Sequence, residues 1–341
     1  MRFPTLPSPH LAPSNSVSRI MLQVLVALVP GVMALVWQFG PGVLVQIPIA
    51  LISALTAEAM VLLLRKRPVL PVLLDGSAAL TAVLLAVSLP PLVPWWMTAF
   101  GVSFAIIIGK QLYGGLGFNP FNPAMLGYAV LLISFPLQMT AWLPPLALAH
   151  ATVSFSDCVA LIFQQVTHAS FDGLAQATPL DTLKTQLGLQ THLDEIQSAQ
   201  VFGGLSGKGW QWVNWWLLAG GLWMIRRGLI DWRIPLSLLG SLYLLAMFFF
   251  LYKPALYPTP LFHWFSGATM LGAFFIATDP VSASTTPRGR LVYGALIGVL
   301  VYVIRSWGGY PDGVAFAVLL LNVAAPTIDC YTRPRVYGHK A

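Results

Sequence analysis

The chain has 341 residues, of which 57% are hydrophobic and only 9% charged, and its mean hydropathy is +0.76. Soluble domains carry about a quarter charged residues, so an ordinary soluble enzyme, a disordered chain and a disulfide scaffold are excluded, and a polytopic helical membrane protein fits. The net charge of +7 does not mark a nucleic-acid partner, because the basic residues fall in short clusters between apolar runs, as membrane topology signals do.

Residues 1–19 are polar and proline-rich, with no early apolar run or cleavage site, and read as a cytoplasmic segment rather than a signal peptide. Ten apolar stretches then follow: 20–39, 43–64, 76–90, 92–109, 123–143, 212–225, 234–251, 264–278, 291–305 and 313–328. Several fall short of the about 20 residues that a span needs. The expectation is an all-α integral membrane protein with a first half (20–143), a large outer segment (144–211), a second half (212–328) and a cytoplasmic tail (329–341).

Lys and Arg set the orientation. With the N-terminus inside, fourteen of them, including Arg65, Lys66, Arg67, Lys110, Arg226, Arg227, Arg288 and Arg290, lie on the inner side. Only Lys184, Lys208, Lys253 and Arg305 lie outside. Ten of twelve tryptophans fall at the outer interface. Both termini are therefore expected in the cytoplasm of a bacterial inner membrane, with 144–211 periplasmic. The apolar run 146–163 is not read as a span, since it contains His150, Ser154, Ser156 and Asp157 and would invert every later loop. At 68 residues the outer segment is too long for a mere connection.

Five spans on each side of that segment predict duplication in opposite orientations. Gly76-Ser-Ala-Ala-Leu-Thr-Ala opens the third span and Gly267-Ala-Thr-Met-Leu-Gly-Ala lies in the eighth. Gly-Gly-Leu-Gly-Phe-Asn-Pro (114–120) precedes the fifth and Gly-Gly-Tyr-Pro-Asp-Gly (308–313) the tenth. Short interrupted helices at matching positions point to a site in an inverted-repeat membrane protein, and close helix packing on small residues is the other explanation.

Three places can carry chemistry. In the outer segment, Thr178, Pro179 and Asp181 read as N-cap, first helical position and an acid at N3. On the inner side, Asn119 and Asn122 lie at one end of the fifth span, and Thr278 and Asp279 end the eighth. Irregular backbone at such depth must be buried or line a cavity, and amides and a carboxylate can read the edge of a planar ring; helix capping by Asn122 and a turn at Asp279 are the plain alternatives. Glu58 is the one acid well inside an expected span, a candidate for an ion pathway or a hydrogen-bonded structural group. The histidines, His263 among them, show no metal spacing and read as surface residues; Cys158 and Cys330 cannot supply a four-ligand cluster and read as packing residues. Gly109-Lys110 lacks the upstream glycines of a phosphate loop.

The outer stretch Asp172-Gly-Leu-Ala-Gln-Ala-Thr178 resembles the flavinylation motif of the membrane flavin subunits of respiratory sodium pumps and Rnf complexes. It matches at Asp172, Ala177 and Thr178 and departs at Ala175 and Gln176. The resemblance extends to Ser8-Pro-His10, Ser18-Arg-Ile-Met21, the run from Lys110 through Asn119-Pro-Phe-Asn122-Pro-Ala, Ala177-Thr178-Pro-Leu-Asp-Thr-Leu-Lys, and Ala277-Thr-Asp279-Pro-Val-Ser. It is to the RnfD (RsxD) family of the Rnf electron-transport complexes and, more distantly, to the membrane flavin subunits of the sodium-translocating NADH:quinone reductase.

That resemblance implies FMN esterified through its phosphate to Thr178 by a flavin transferase, and a second, non-covalent flavin, riboflavin or another, near Asn119, Asn122, Thr278 and Asp279. The helix start at Thr178–Asp181 suits a phosphate, with Lys184 one turn on. It further implies a complex that passes electrons between ferredoxin and NAD with coupled Na⁺ or H⁺ movement, an outer flavoprotein subunit among the partners, and no complete activity in this chain alone. A solute channel or transporter, or a non-redox membrane scaffold, are the rival readings.

Overall fold

The computed structural model describes residues 16–149, 153–164 and 175–333. The expectations that fall on Arg2, Ser8, His10, His150, His168, Asp172, Arg335, His339 and Lys340 lie outside these residues. Among the described residues there is no strand, only the isolated bridges Trp142–Gln176 and Phe202–Gly207.

The first half opens with α1 (Val17–Phe39), capped by the Ser16 hydroxyl, which accepts from the Arg19 N–H at 3.3 Å. α2 (Gly42–Leu64) follows directly. At about 1.5 Å per residue, each of these 23-residue helices is long enough for the hydrocarbon core of about 30 Å. After the single turn α3 (Val69–Leu73) come α4 (Ser77–Ser88) and α5 (Trp95–Phe104), the latter continued by a π-helical segment, Ala105–Gln111. α6 (Pro123–Ser134) and α7 (Pro136–Thr140) close the half. The expected span 123–143 is thus two short helices, because Pro136 has no N–H to continue α6.

Among the described residues, three short helices lie between the halves: α8 (Phe155–Gln164), α9 (Pro179–Gly188) and α10 (Leu193–Ser198). The described part of α8, Phe155–Gln164, extends about 15 Å. It sets Cys158 and Ile162 against Val45, Leu92 and Leu143. α9 and α10 build a small core of their own from Leu180, Leu183, Leu193 and Ile196 with Phe202 and Phe262.

The second half comprises α11 (Trp210–Arg226), α12 (Arg233–Tyr252), α13 (Pro260–Phe265), α14 (Thr269–Leu271) with a second π segment (Gly272–Ile276), α15 (Pro287–Trp307) and α16 (Val314–Thr332). The expected eighth span, 264–278, is broken. Its chain turns at Gly267 (φ +58°), where any side chain would meet the Asp312 carboxylate and Leu180.

Each of the ten apolar stretches contains helix, and among the described residues five helices (α1, α2, α12, α15 and α16) are long and apolar enough to cross a membrane. Their outward faces carry large apolar side chains, such as Met33 (67% exposed), Ile52 (64%), Leu244 (70%) and Leu251 (71%). Such faces suit lipid rather than water. The halves meet through α1 against α11 and α6 against α16. Gly220 faces the Ala27 carbonyl and Gly31 faces Leu217, so α1 and α11 approach closely. The chain is a multi-pass helical membrane protein.

Candidate cofactor cavities between the halves

Two cavities lie where the halves meet. The first, with about 1010 Å³ of unfilled space including its mouth, is lined by α4, α6, α11 and α14, by Thr178–Asp181 and by Pro311 and Asp312. The second, about 790 Å³, is lined by the start of α1, Ser77 and Thr81 of α4, Lys110, Asn119, Asn122, Phe274, Phe275, Thr278 and Asp279. The start of α6 and the second π segment separate the two, and at that partition the Asn122 side chain donates to the Ile276 carbonyl at 3.4 Å.

Thr178 sits at the first cavity as the N-cap of α9. Its φ and ψ are −68° and 157°, its Oγ1 accepts from the Asp181 N–H at 3.2 Å, and Pro179 takes the first helical position. The cap expected from spacing is formed. The preceding chain is fixed by the Gln176 N–H, which donates to the Trp142 carbonyl at 2.7 Å. Trp142 and Trp210 line the cavity beside Thr178, edge to face with centroids 4.7 Å apart, and Phe39 packs on Trp210 at 4.9 Å. Thr178 also lines a smaller cavity with Gln176, Ala177 and Lys208.

Lys184 is held elsewhere. Its Nζ donates to the carbonyls of Tyr310 (2.7 Å) and Ile304 (3.1 Å), tying α9 to the end of α15. Burial pushes the Lys184 ammonium below its ordinary pKa, with Asp181 opposing, and burial raises the Asp181 carboxyl, with Lys184 opposing. The cation that shares a cavity with Thr178 is Lys208, whose Nζ has no hydrogen-bond or ion-pair partner among the described residues.

The structure brings Asn119, Asn122, Thr278 and Asp279 together around the second cavity. Asn122 caps α6, its Oδ1 accepting from Met125 N–H at 3.2 Å. Asp279 accepts from Ser282 Oγ (2.8 Å) and Val281 N–H (3.2 Å), and Thr278 donates to the Phe274 carbonyl (2.6 Å). Asn119 donates to the Phe121 carbonyl at 2.9 Å, while its buried Oδ1 has no partner among the described residues.

Lys110, read from sequence as an inner surface charge, is 2% exposed. The π segment turns it inward, where its Nζ donates to Glu58 Oε1 at 2.5 Å and to Ser77 Oγ at 2.6 Å. Gln111 donates to the same Glu58 oxygen at 2.7 Å. Arg305, read as an outer charge, is also buried: it donates to the carbonyls of His263 and Ser266, to Thr269 Oγ1 and to the Asp312 carboxylate. Removing one residue from each side leaves the Lys and Arg asymmetry in the same direction. His263 is 3% exposed and packed near Tyr302, not a surface residue. Of the cysteines, Cys158 is buried and packs as expected, while Cys330 is exposed. Lys208 and the Trp142–Trp210 pair carry no sequence motif; Ser77 and Lys110 lie in stretches that the sequence singled out, but the burial of Lys110 depends on the π turn.

The sequence matches the model of the NQR2, RnfD, RnfE family over residues 5–338. It is 57% identical over 344 residues to the D subunit of the ion-translocating oxidoreductase complex of Yersinia pseudotuberculosis serotype O:1b, covering 98% of each chain. It is 56% identical over 350 residues to the same protein of Escherichia fergusonii and of Escherichia coli K12, covering 100% of this chain and 99% of theirs. The chain belongs to the NQR2, RnfD, RnfE family and, at this identity over full length, to its RnfD branch: it is a membrane subunit of an ion-translocating oxidoreductase complex.

Proposed function

We propose that this subunit holds two flavins on the electron path of its complex: FMN esterified to Thr178 at the first cavity and a non-covalent flavin, riboflavin or another, at the second. The observation that carries the reading is the position of Thr178. A threonine fixed by its own helix cap lines a mostly apolar, tryptophan-lined cavity between the halves. A flavin bound there supplies reversible electron carriage, and the protein supplies its placement and electrostatics.

The chain's own residues divide the work. The cap presents the Thr178 hydroxyl at the N-terminal end of α9, where the helix dipole favours a phosphate. Lys208 supplies the countercharge. Trp142 and Trp210 offer aromatic faces and exclude water. At the second cavity, Asn119 Oδ1 is an acceptor awaiting a donor, and Asn122 and Asp279 border the same space. In this proposal the complex moves electrons between ferredoxin and NAD through other subunits, with coupled Na⁺ or H⁺ transfer. The N- and C-termini are cytoplasmic in the bacterial inner membrane and 144–211 is periplasmic. The maturing flavin transferase and an outer flavoprotein subunit meet that face.

Denaturation of purified protein tests the reading. It predicts one flavin released into the supernatant and one retained by the precipitated chain. A colourless protein from a host with active flavin transferase would contradict it and favour a transporter or a scaffold.

A further inference from the structure

The Glu58–Lys110 pair is the most completely buried ion pair among the described residues, with side chains 0% and 2% exposed. Two features separate it from a simple structural bridge. Glu58 uses one oxygen for both Lys110 and Gln111, while its buried Oε2 has no partner among the described residues. Lys110 has three N–H donors, two of them used on Glu58 and Ser77. Lys110 and Ser77 line the second cavity, and Glu58 does not. Lys110 therefore borders the cavity and bonds the carboxylate.

We propose that Lys110 couples the charge of the second cavity's occupant to cation uptake at Glu58. The inference rests on a redox ring occupying that cavity. When one electron arrives from the donor within the oxidoreductase complex, the cavity gains one negative charge. Lys110 turns its ammonium toward that charge, because unscreened charges attract strongly in a low-dielectric interior. Glu58, with one oxygen already bare, is left undercompensated and takes up one monovalent cation, H⁺ or Na⁺. Loss of the electron returns Lys110 to Glu58 and expels the cation. One electron and one cation enter together, so net charge is conserved at each step. Among the charged groups on elements packed against α2 (Arg19 on α1, Asp75 before α4, Lys110, and Asp157 on α8), Lys110 is the one that bonds Glu58. Asp75 stands one hydrogen bond further off, accepting from Ser77, and Asp279 faces the cavity across from Lys110.

The test is a spectroelectrochemical titration of the non-covalent flavin in the intact complex, at varied pH with fixed Na⁺ and at varied Na⁺ with fixed pH. In wild type the midpoint is expected to shift by about 59 mV per tenfold change in cation activity, the one-electron value, in one of the two series, which identifies the ion. Glu58→Gln is expected to flatten that series. The double variant Glu58→Gln with Lys110→Gln, which leaves no lone buried charge, should flatten it equally. A wild-type midpoint flat in both series, or a slope that survives in both variants, overturns the inference alone. Absence of any releasable flavin overturns both it and the reading beneath it.

Discussion

Each half of the molecule buries one ion pair next to a broken or π-turned helix, and the two pairs are built differently. In the second half, Arg305 spends its guanidinium on the carbonyls of His263 and Ser266, on Thr269 and on Asp312, while Asp312 also accepts from the Ala268 and Val314 N–H groups. These bonds satisfy the backbone that the break at Gly267 exposes, so the pair is a clamp. In the first half, Glu58 keeps a bare oxygen and Lys110 opens onto a cavity. Two ion pairs with buried cations thus serve different ends, and the number of unsatisfied atoms tells them apart.

The largest expected effect lies in the clamp. Asp312→Ala leaves Arg305 buried without its carboxylate and should destabilise the protein by about 3 kcal/mol, read as a fall in thermal unfolding temperature in detergent. A fall worth under about 1 kcal/mol would break the comparison. The first-half pair sharpens it from the other side. The neutral pair Glu58→Gln with Lys110→Gln should stay within about 1 kcal/mol of wild type, since two amides can bond each other in place of the ions. The corresponding Arg305→Gln with Asp312→Asn should not, because no amide replaces the fork of Arg305. Equal losses in the two doubles would show that both pairs are clamps.

A smaller effect separates two lysines of the outer segment. Lys208→Ala should lower the yield of covalent flavin severalfold. Lys184→Ala should leave it within about twofold while destabilising the docking of α9 by about 1 kcal/mol; gel fluorescence per chain and thermal unfolding measure the two. The smallest effect concerns Asp231, in the turn between α11 and α12. Burial raises its carboxyl, but hydrogen bonds from Arg233 and Arg290 outweigh that and hold it below the ordinary carboxylate value. Its stabilisation is therefore present above the ordinary pKa of about 3.9 and lost as pH falls through the lower folded value. Asp231→Asn should cost under about 1 kcal/mol at pH 7, and the difference from wild type should fade toward pH 3. A difference that grows on acidification would reverse the sign.

Much of this was legible in the sequence, for physical reasons that differ from residue to residue. Apolar run lengths locate α1, α2, α12, α15 and α16 because hydrocarbon thickness sets helix length. Thr178–Pro179–Asp181 reads as a helix start because capping is local chemistry, and it forms as spacing predicts. Asn119, Asn122, Thr278 and Asp279 share a cavity, as two breaks at one depth imply. The roles of Lys110, Arg305 and His263 were not legible. A charge next to an apolar run looks like a topology signal; the π turn at Ala105–Gln111 carries Lys110 inward, and Arg305, on α15, binds the carbonyls of His263 and Ser266 next to the break at Gly267. Lys184 is one helical turn beyond the helix start at Thr178–Asp181, yet the docking of α9 on α15 gives it to backbone carbonyls and leaves the threonine's cavity to Lys208.

The account turns on Thr178 as a flavin acceptor, and in-gel flavin fluorescence of the denatured subunit tests that most directly. Wild type from a host with active flavin transferase is compared with Thr178→Val and with Thr178→Asn, which keeps a capping side chain while removing the hydroxyl. The account predicts a fluorescent wild-type band and dark bands for both variants at equal protein loading. A dark wild-type band, or fluorescence that persists in Thr178→Asn, would contradict it.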